Sequence, residues 1–235
     1  MSTVQISAAD VNKLRNMTGA GMMDCKKALT EAGGDFEKAI DYLRKKGQKV
    51  AANRSDRDAK EGSVIAKTSA DNKRGVIICL NCETDFVAKN EDFFGFADKI
   101  ADLAVNKSPD NLEGLLALEI DGLKIADKIT EYVGKIGEKI ELSRYESVNA
   151  AKVFAYNHPG NRIATIVGFN KDAADQIGKD VAMQAAAMAP VALDKDDVSA
   201  ETLERELEIA KEQIRAEGKP EDMVEKIALG KLNKF

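Results

Sequence analysis

Two cysteines three residues apart, Cys79 and Cys82, are the residues whose spacing first invites chemistry. A C-x-x-C pair can serve thiol–disulfide exchange or bind zinc. Redox pairs of this kind work at a helix N-terminus that follows a strand. Here the pair falls inside RGVIICLNC (74–82), an apolar run that reads as a strand, and strand residues three apart point to opposite faces. Zinc asks for about four ligands, and one histidine with one further, remote cysteine, Cys25, does not complete such a set. The pair therefore reads as ordinary buried thiols. His158, the single histidine, stands beside Pro159 and Gly160 at a predicted hairpin tip, a place that suits a contact residue better than a general base. No nucleophile elbow, phosphate loop or dinucleotide fingerprint occurs, and TGAG (18–21) is too short a glycine signal to cradle phosphate. No catalytic constellation, metal site or cofactor is indicated, which favours a binding protein over an enzyme.

A second kind of residue stands out for exposure rather than reactivity. CETDFVAKNEDFFGF (82–96) carries four of the 8 phenylalanines of a chain that has no tryptophan. Phe93, Phe94 and Phe96 can sit on one helix. Phe86 cannot: it follows Asp85 just past the end of the strand. Met22 and Met23 pose a similar question. The apolar stripe through Cys25 and Leu29 is expected to take Met22 inward. Met23, about 100° further round the helix and close to Lys26 and Lys27, reads either as a partly exposed methionine or as an adaptable apolar contact for a partner helix.

The elements that must position these residues follow from periodicity. Ser7 and Asp10 have capping-box spacing; Val11 and Leu14 then give one apolar face, and Met22, Cys25, Leu29 and Ala32 a second. Asp35 caps a third helix that carries Phe36, Ala39, Ile40 and Leu43, with Gly47 expected to close it. The domain boundaries expected are a three-helix partner-binding module over 1–50, a solvated and partly helical linker over 51–62, an N-terminal half of the core over 63–147, a C-terminal half over 148–198 and a helical hairpin over 199–235. In the core, 63–70 and 74–82 form a hairpin, Asn90 caps a helix through Phe93, Phe96, Ile100 and Leu103, a helix spans 124–133, and a strand spans 139–145. A second hairpin turns at HPGN (158–161), and the helix after it ends at Pro190. Ser199 then caps a helix whose Leu203, Leu207, Ala210 and Ile214 are spaced as a coiled-coil seam, answered by Val224, Ile227 and Leu232 after a turn at Pro220. The fold class is α+β with antiparallel sheets.

The totals agree. The 235 residues are 44% hydrophobic and 32% charged, with a net charge of -5 and a pI near 5.2. That balance disfavours nucleic acid as the main partner. No apolar run approaches the roughly 20 residues of a membrane helix, no secretory signal is expected in MSTVQISAAD, and an odd count of three cysteines fits a reducing cytoplasm.

LRNMTGAGMMDCKKALTEAGGDFEKAIDYLRKKG (14–47), then CETDFVAKNEDF (82–93), then the helical hairpin, in that order, closely resemble bacterial elongation factor Ts over essentially the whole chain. The resemblance implies a guanine-nucleotide exchange factor for elongation factor Tu, acting on its GDP-bound and nucleotide-free forms, without catalytic chemistry of its own. It implies a ubiquitin-associated-like module, a two-part core and a coiled-coil hairpin that is a candidate for pairing two copies. It also implies partner-binding roles for Thr84, Asp85 and Phe86, which insert near the partner's magnesium and switch region, for His158 in the core, and for Arg15, Met22, Met23 and Lys26 in the module. The chain stops at KLNKF (231–235), where longer family members continue with a further core strand and a helical module, so the second half of the core is expected to lack a strand. Two rival readings are a non-catalytic adaptor built on the N-terminal module and a cysteine-dependent redox protein.

Overall fold

Local capping opens the first and third N-terminal helices in the computed structural model, which describes residues 5–232. The first four residues of the expected module and the last three of the expected hairpin lie outside the described residues. The Ser7 hydroxyl accepts from the Asp10 amide at 3.1 Å while the Asp10 carboxylate accepts from the Ser7 amide at 3.3 Å. That capping box opens α1 (Ala8–Thr18), and Gly19, at φ 68°, ends it in the left-handed conformation glycine adopts without strain. α2 (Met22–Glu31) follows, and Asp35 caps α3 (Phe36–Arg54) by accepting from the Lys38 amide. Val11, Leu14, Cys25, Ala28, Leu29 and Ala39 form the buried core of this bundle.

Two expectations fail here. Gly47 does not close α3; the helix runs seven residues further, to Arg54. The glycine is a contact rather than a stop. A Cβ at Gly47 would stand 3.2 Å from the Thr130 carbonyl oxygen of a neighbouring helix, so only glycine allows that approach without displacing the neighbour. Met22 does not turn inward either; it is 52% exposed. It opens α2, and helical side chains lean toward the N-terminus, so a residue in the first turn overhangs the end of the bundle instead of entering it.

β1 (Glu61–Thr68), β2 (Arg74–Cys82) and a later strand, β5 (Ile140–Asn149), form an antiparallel sheet in the order β1-β2-β5. Between β2 and β5 come α4 (Asp85–Ala88), α5 (Glu91–Lys107), α6 (Leu112–Leu116), the two-residue strands β3 (Glu119–Ile120) and β4 (Leu123–Lys124), and α7 (Ile125–Ile136). Alternate residues Val76, Ile78, Leu80 and Cys82 of β2 face the core, where Phe93, Phe96 and Ile100 of α5 and Ile125 and Val133 of α7 cover them. On β5 the buried positions are 140, 142 and then 145. Ser143 is an extra, unpaired residue opposite the Cys79–Leu80 step, and that bulge flips the parity of the strand. β5 also runs four residues past the expected Tyr145.

β6 (Lys152–Asn157) and β7 (Ala164–Phe169) form the second hairpin, followed by α8 (Asp175–Met188). The hairpin covers the free edge of β1. Asn157 imitates a neighbouring strand: its side-chain amide accepts from the Ala66 amide at 2.8 Å and donates to the Ala66 carbonyl at 2.9 Å. The Val64 amide donates to the Asn161 carbonyl at 2.7 Å. An otherwise open sheet edge is thereby satisfied.

Residues up to Ala187 form one compact unit, and those from Met188 a second. The second holds a short 3-10 turn (Lys195–Asp197) and the antiparallel helices α9 (Ala200–Ala216) and α10 (Glu221–Leu232). Ser199 caps α9 by accepting from the Thr202 amide. The seam is Ala210 and Ile214 against Val224 and Ala228, with Leu207 and Ile227 partly buried beside it. Among the described residues, no helix is long and apolar enough to cross a membrane.

Phe93 is fully buried and Phe94, its neighbour on α5, is 37% exposed. Phe93→Ala is expected to cost about 3–5 kcal/mol and Phe94→Ala less than about 1 kcal/mol in urea unfolding. Equal losses would contradict this packing.

Candidate functional site

The end of β2 is where the chain leaves the sheet, and two acids hold it there. Glu83 accepts from the Lys139 amide at 2.6 Å and from Arg54 Nη1 at 2.9 Å on both carboxylate oxygens. Glu138 accepts from the Thr84 amide at 3.0 Å and from the Thr84 hydroxyl at 2.7 Å. The Lys139 amide beside Glu83, with the Arg54 guanidinium, holds its carboxyl below the usual value. The backbone of residues 83 and 84 is thus tied to the start of β5 by polar groups of both segments.

Thr84 caps α4, its hydroxyl accepting from the Val87 amide at 3.5 Å. Asp85 is the first helical residue. An acid there complements the helix N-terminus, and Lys89, one turn on, pairs with it at 2.6 Å. That hydrogen bond, aided by the charges of Lys89 and Arg162, keeps the Asp85 carboxyl below its ordinary range, so it is an anion at neutral pH. Phe86, the next residue, is 83% exposed. The four-residue helix leaves a phenyl ring in water beside a carboxylate, on a turn whose root is anchored.

The hairpin tip lies on the same flank of the sheet. Arg162 forms an ion pair with Glu61 at the start of β1, and it is close enough to Asp85 to lower its pKa. His158 is exposed, with Nδ1 2.9 Å from the Tyr156 hydroxyl and its amide donating to the Ile163 carbonyl. Among the described residues, no carboxylate or thiol hydrogen-bonds its ring, as a general base would need. Cys82 is buried, and burial, with Glu138 and Glu61 nearby, pushes its thiol up to about 12. Burial likewise raises Cys25. Cys79, on the opposite face of β2, is partly exposed, so of the expected buried pair only Cys82 is buried. These are poor conditions for thiolate chemistry. No group of three or more His, Cys, Asp or Glu side chains among the described residues could hold a metal ion.

Arg15, in the last turn of α1, and Met22, Met23 and Lys26, in the first turns of α2, are each exposed. Met23 is 74% exposed, and Met17, in the last turn of α1, is 57% exposed. Met17 escaped the reading of periodicity, although it lies off the Val11–Leu14 stripe. Arg54, Glu83 and Glu138 were also missed. Each is an ordinary charge in a polar stretch, and only the chain's three-dimensional path reveals its partner.

A family profile described as elongation factor Ts matches residues 83–235. Curated relatives of that name align along nearly all of the chain. The protein of Christiangramia forsetii is 55% identical over 98% of this chain and 84% of its own length. That of Flavobacterium psychrophilum is 56% identical over the same shares. That of Cytophaga hutchinsonii is 55% identical over 100% of this chain and 85% of its own.

The depressed Glu83 pKa has a consequence for stability. Its contribution is fully present above the ordinary value of 4.5 and is lost as pH falls through the lower folded value. Glu83→Gln is expected to lose about 1–3 kcal/mol at pH 7, with the gap to the wild type closing below about pH 4.5. Urea unfolding at several pH values measures it; a gap that widens in acid would contradict the assignment.

Proposed function

The chain belongs to the elongation factor Ts family, and from that premise we propose that it promotes GDP release from elongation factor Tu in the cytoplasm by inserting Asp85 and Phe86 beside the nucleotide site. The observation that carries this reading is the exposed ring of Phe86 on an anchored turn. An apolar side chain left in water forgoes roughly 1.5–3 kcal/mol of burial, which becomes available when a partner covers it.

The physics of exchange follows from linkage. Bound nucleotide is held by its phosphates and a shared magnesium ion. A wedge that displaces the groups around that ion weakens nucleotide binding. A factor that prefers the nucleotide-free partner must in turn be weakened by nucleotide to the same extent. It speeds release and is expelled when GTP enters, so it needs no catalytic group of its own. Thr84 sets the turn, Asp85 contributes a fixed anion, and Phe86 contributes apolar area. His158 adds a contact at the hairpin tip, and Arg15, Met22, Met23 and Lys26 form a second contact. Met17 extends that patch. The acidic net charge leaves no direct role for nucleic acid, and none is assigned to a membrane.

Ile209, Met223 and Leu229 remain exposed on the helical hairpin outside its own seam. They support pairing of two copies through α9 and α10. Sedimentation at micromolar concentration should then give a dimer mass; a monomer would remove this part of the reading.

The exchange reading is tested by timing release of a fluorescent GDP from elongation factor Tu. The wild type should accelerate release, and Phe86→Ala should lower the acceleration by roughly tenfold or more. Asp85→Ala should also be slower. Undiminished acceleration by Phe86→Ala would show that the ring is not the wedge.

A further inference from the structure

We propose that α3 is a strut that fixes the Asp85–Phe86 turn relative to the N-terminal patch, with Arg54, Glu83, Gly47 and Gly134 as its positioning residues. The bearing of this strut on exchange rests on the functional reading above; its mechanical part does not.

The bundle needs only the first half of α3. Its buried contact is Ala39, with Ile40, Tyr42 and Leu43 partly buried around it. The helix nevertheless continues to Arg54, 19 residues in all, or about 28 Å at about 1.5 Å per residue. The second half packs on the core instead. Val50 and Ala51 lie against the core cluster. Gly47 meets Gly134 of α7 so closely that a Cβ on Gly134 would stand 2.7 Å from the Gly47 Cα. Arg44 pairs with Glu131 of α7 at 3.4 Å. Lys135, on the same helix, lies against Gly19 of the α1–α2 turn and pairs with Asp92 of α5 at 3.3 Å.

The far end of the strut reaches the site. Arg54 Nη1 holds both oxygens of Glu83, the residue immediately before Thr84, Asp85 and Phe86. The Glu83 side chain is only 14% exposed and Arg54 33%, so the pair is shielded from much of the water that weakens surface ion pairs. Lys46 of α3 pairs with Asp24, the residue after Met23 on α2, so one continuous helix joins the methionine-bearing turn to the root of the wedge. A partner that grips both patches meets them already at a set separation, which lowers the cost of ordering one patch relative to the other on binding.

Two readouts on the full chain separate the strut from the exchange reading. First, spin labels at Lys27→Cys and Phe86→Cys, in a Cys79→Ser background, report the distance from module to wedge in the free protein. The strut predicts a single narrow distribution. Arg54→Ala should broaden it, and so should Gly134→Val, which forces α3 off α7. Arg54→Lys should keep it narrow, since one ammonium can replace Nη1. Circular dichroism verifies that each variant is folded. Second, unlabelled Arg54→Ala should raise the half-saturating concentration for GDP release from elongation factor Tu by roughly tenfold, with the maximal rate nearly kept. Phe86→Ala should lower the maximal rate and leave a Lys27-to-Lys89 label distance unmoved. A distribution unchanged by both Arg54→Ala and Gly134→Val overturns the strut. A wild type without exchange activity but with a narrow, Arg54-dependent distribution overturns the exchange reading and leaves the strut standing.

Discussion

A large apolar ring held in water needs a rigid mount, because a ring on a loose loop would fold back onto the protein's own surface. The mount here is polar. Glu138 grips the amide and hydroxyl of Thr84, and Glu83 is gripped by the Lys139 amide and by Arg54. These are charge-assisted bonds, about twice as strong as neutral ones; those of Glu138 and the Lys139 amide join the exit of β2 to the entry of β5, and that of Arg54 joins it to the end of α3. The sheet register, the bulge at Ser143 and the packing of α5 and α7 serve to bring those two strand ends side by side. If that junction is lost, Phe86 has nothing to hold it clear of the core.

In the proposed exchange role, the same arrangement lets a binding protein act without catalysis. The free energy of covering Phe86 is then withheld in the free state and released only against a partner. Asp85 adds a charge already ordered by Lys89 and the helix N-terminus, so its position is settled before contact. Preorganisation of this kind lowers the entropic cost of association rather than adding contacts. Of the groups that first invite a chemical reading, Cys82 is buried with its thiol pushed up to about 12, and His158 is an exposed side chain hydrogen-bonded to the Tyr156 hydroxyl.

Much of this was legible from periodicity and caps. Ser7, Asp35, Asn90 and Ser199 each open a helix as their types and spacing require. The opposite facing of Cys79 and Cys82 follows from strand geometry, and the odd placement of Phe86 was visible because Phe93 and Phe96 have clear helical partners and it does not. What was hidden depends on contacts between distant segments. Gly47 looks like a helix stop until Gly134 is seen against it. Met22 fits an inward stripe by angle, and only its place at the helix end leaves it exposed. Arg54 and Glu83 are 29 residues apart in the chain, and nothing local in either segment announces the pair.

Phe86 stands in water in the free protein, and in the proposed function the nucleotide-free partner buries it. A 4-fluorophenylalanine placed at position 86 reports this through its fluorine resonance and the shift of that resonance between light and heavy water. The free chain should give one resonance with the full solvent isotope shift. Nucleotide-free elongation factor Tu should move the resonance and abolish the isotope shift, and added GDP should restore both. A resonance with a full isotope shift in all three states would contradict the account.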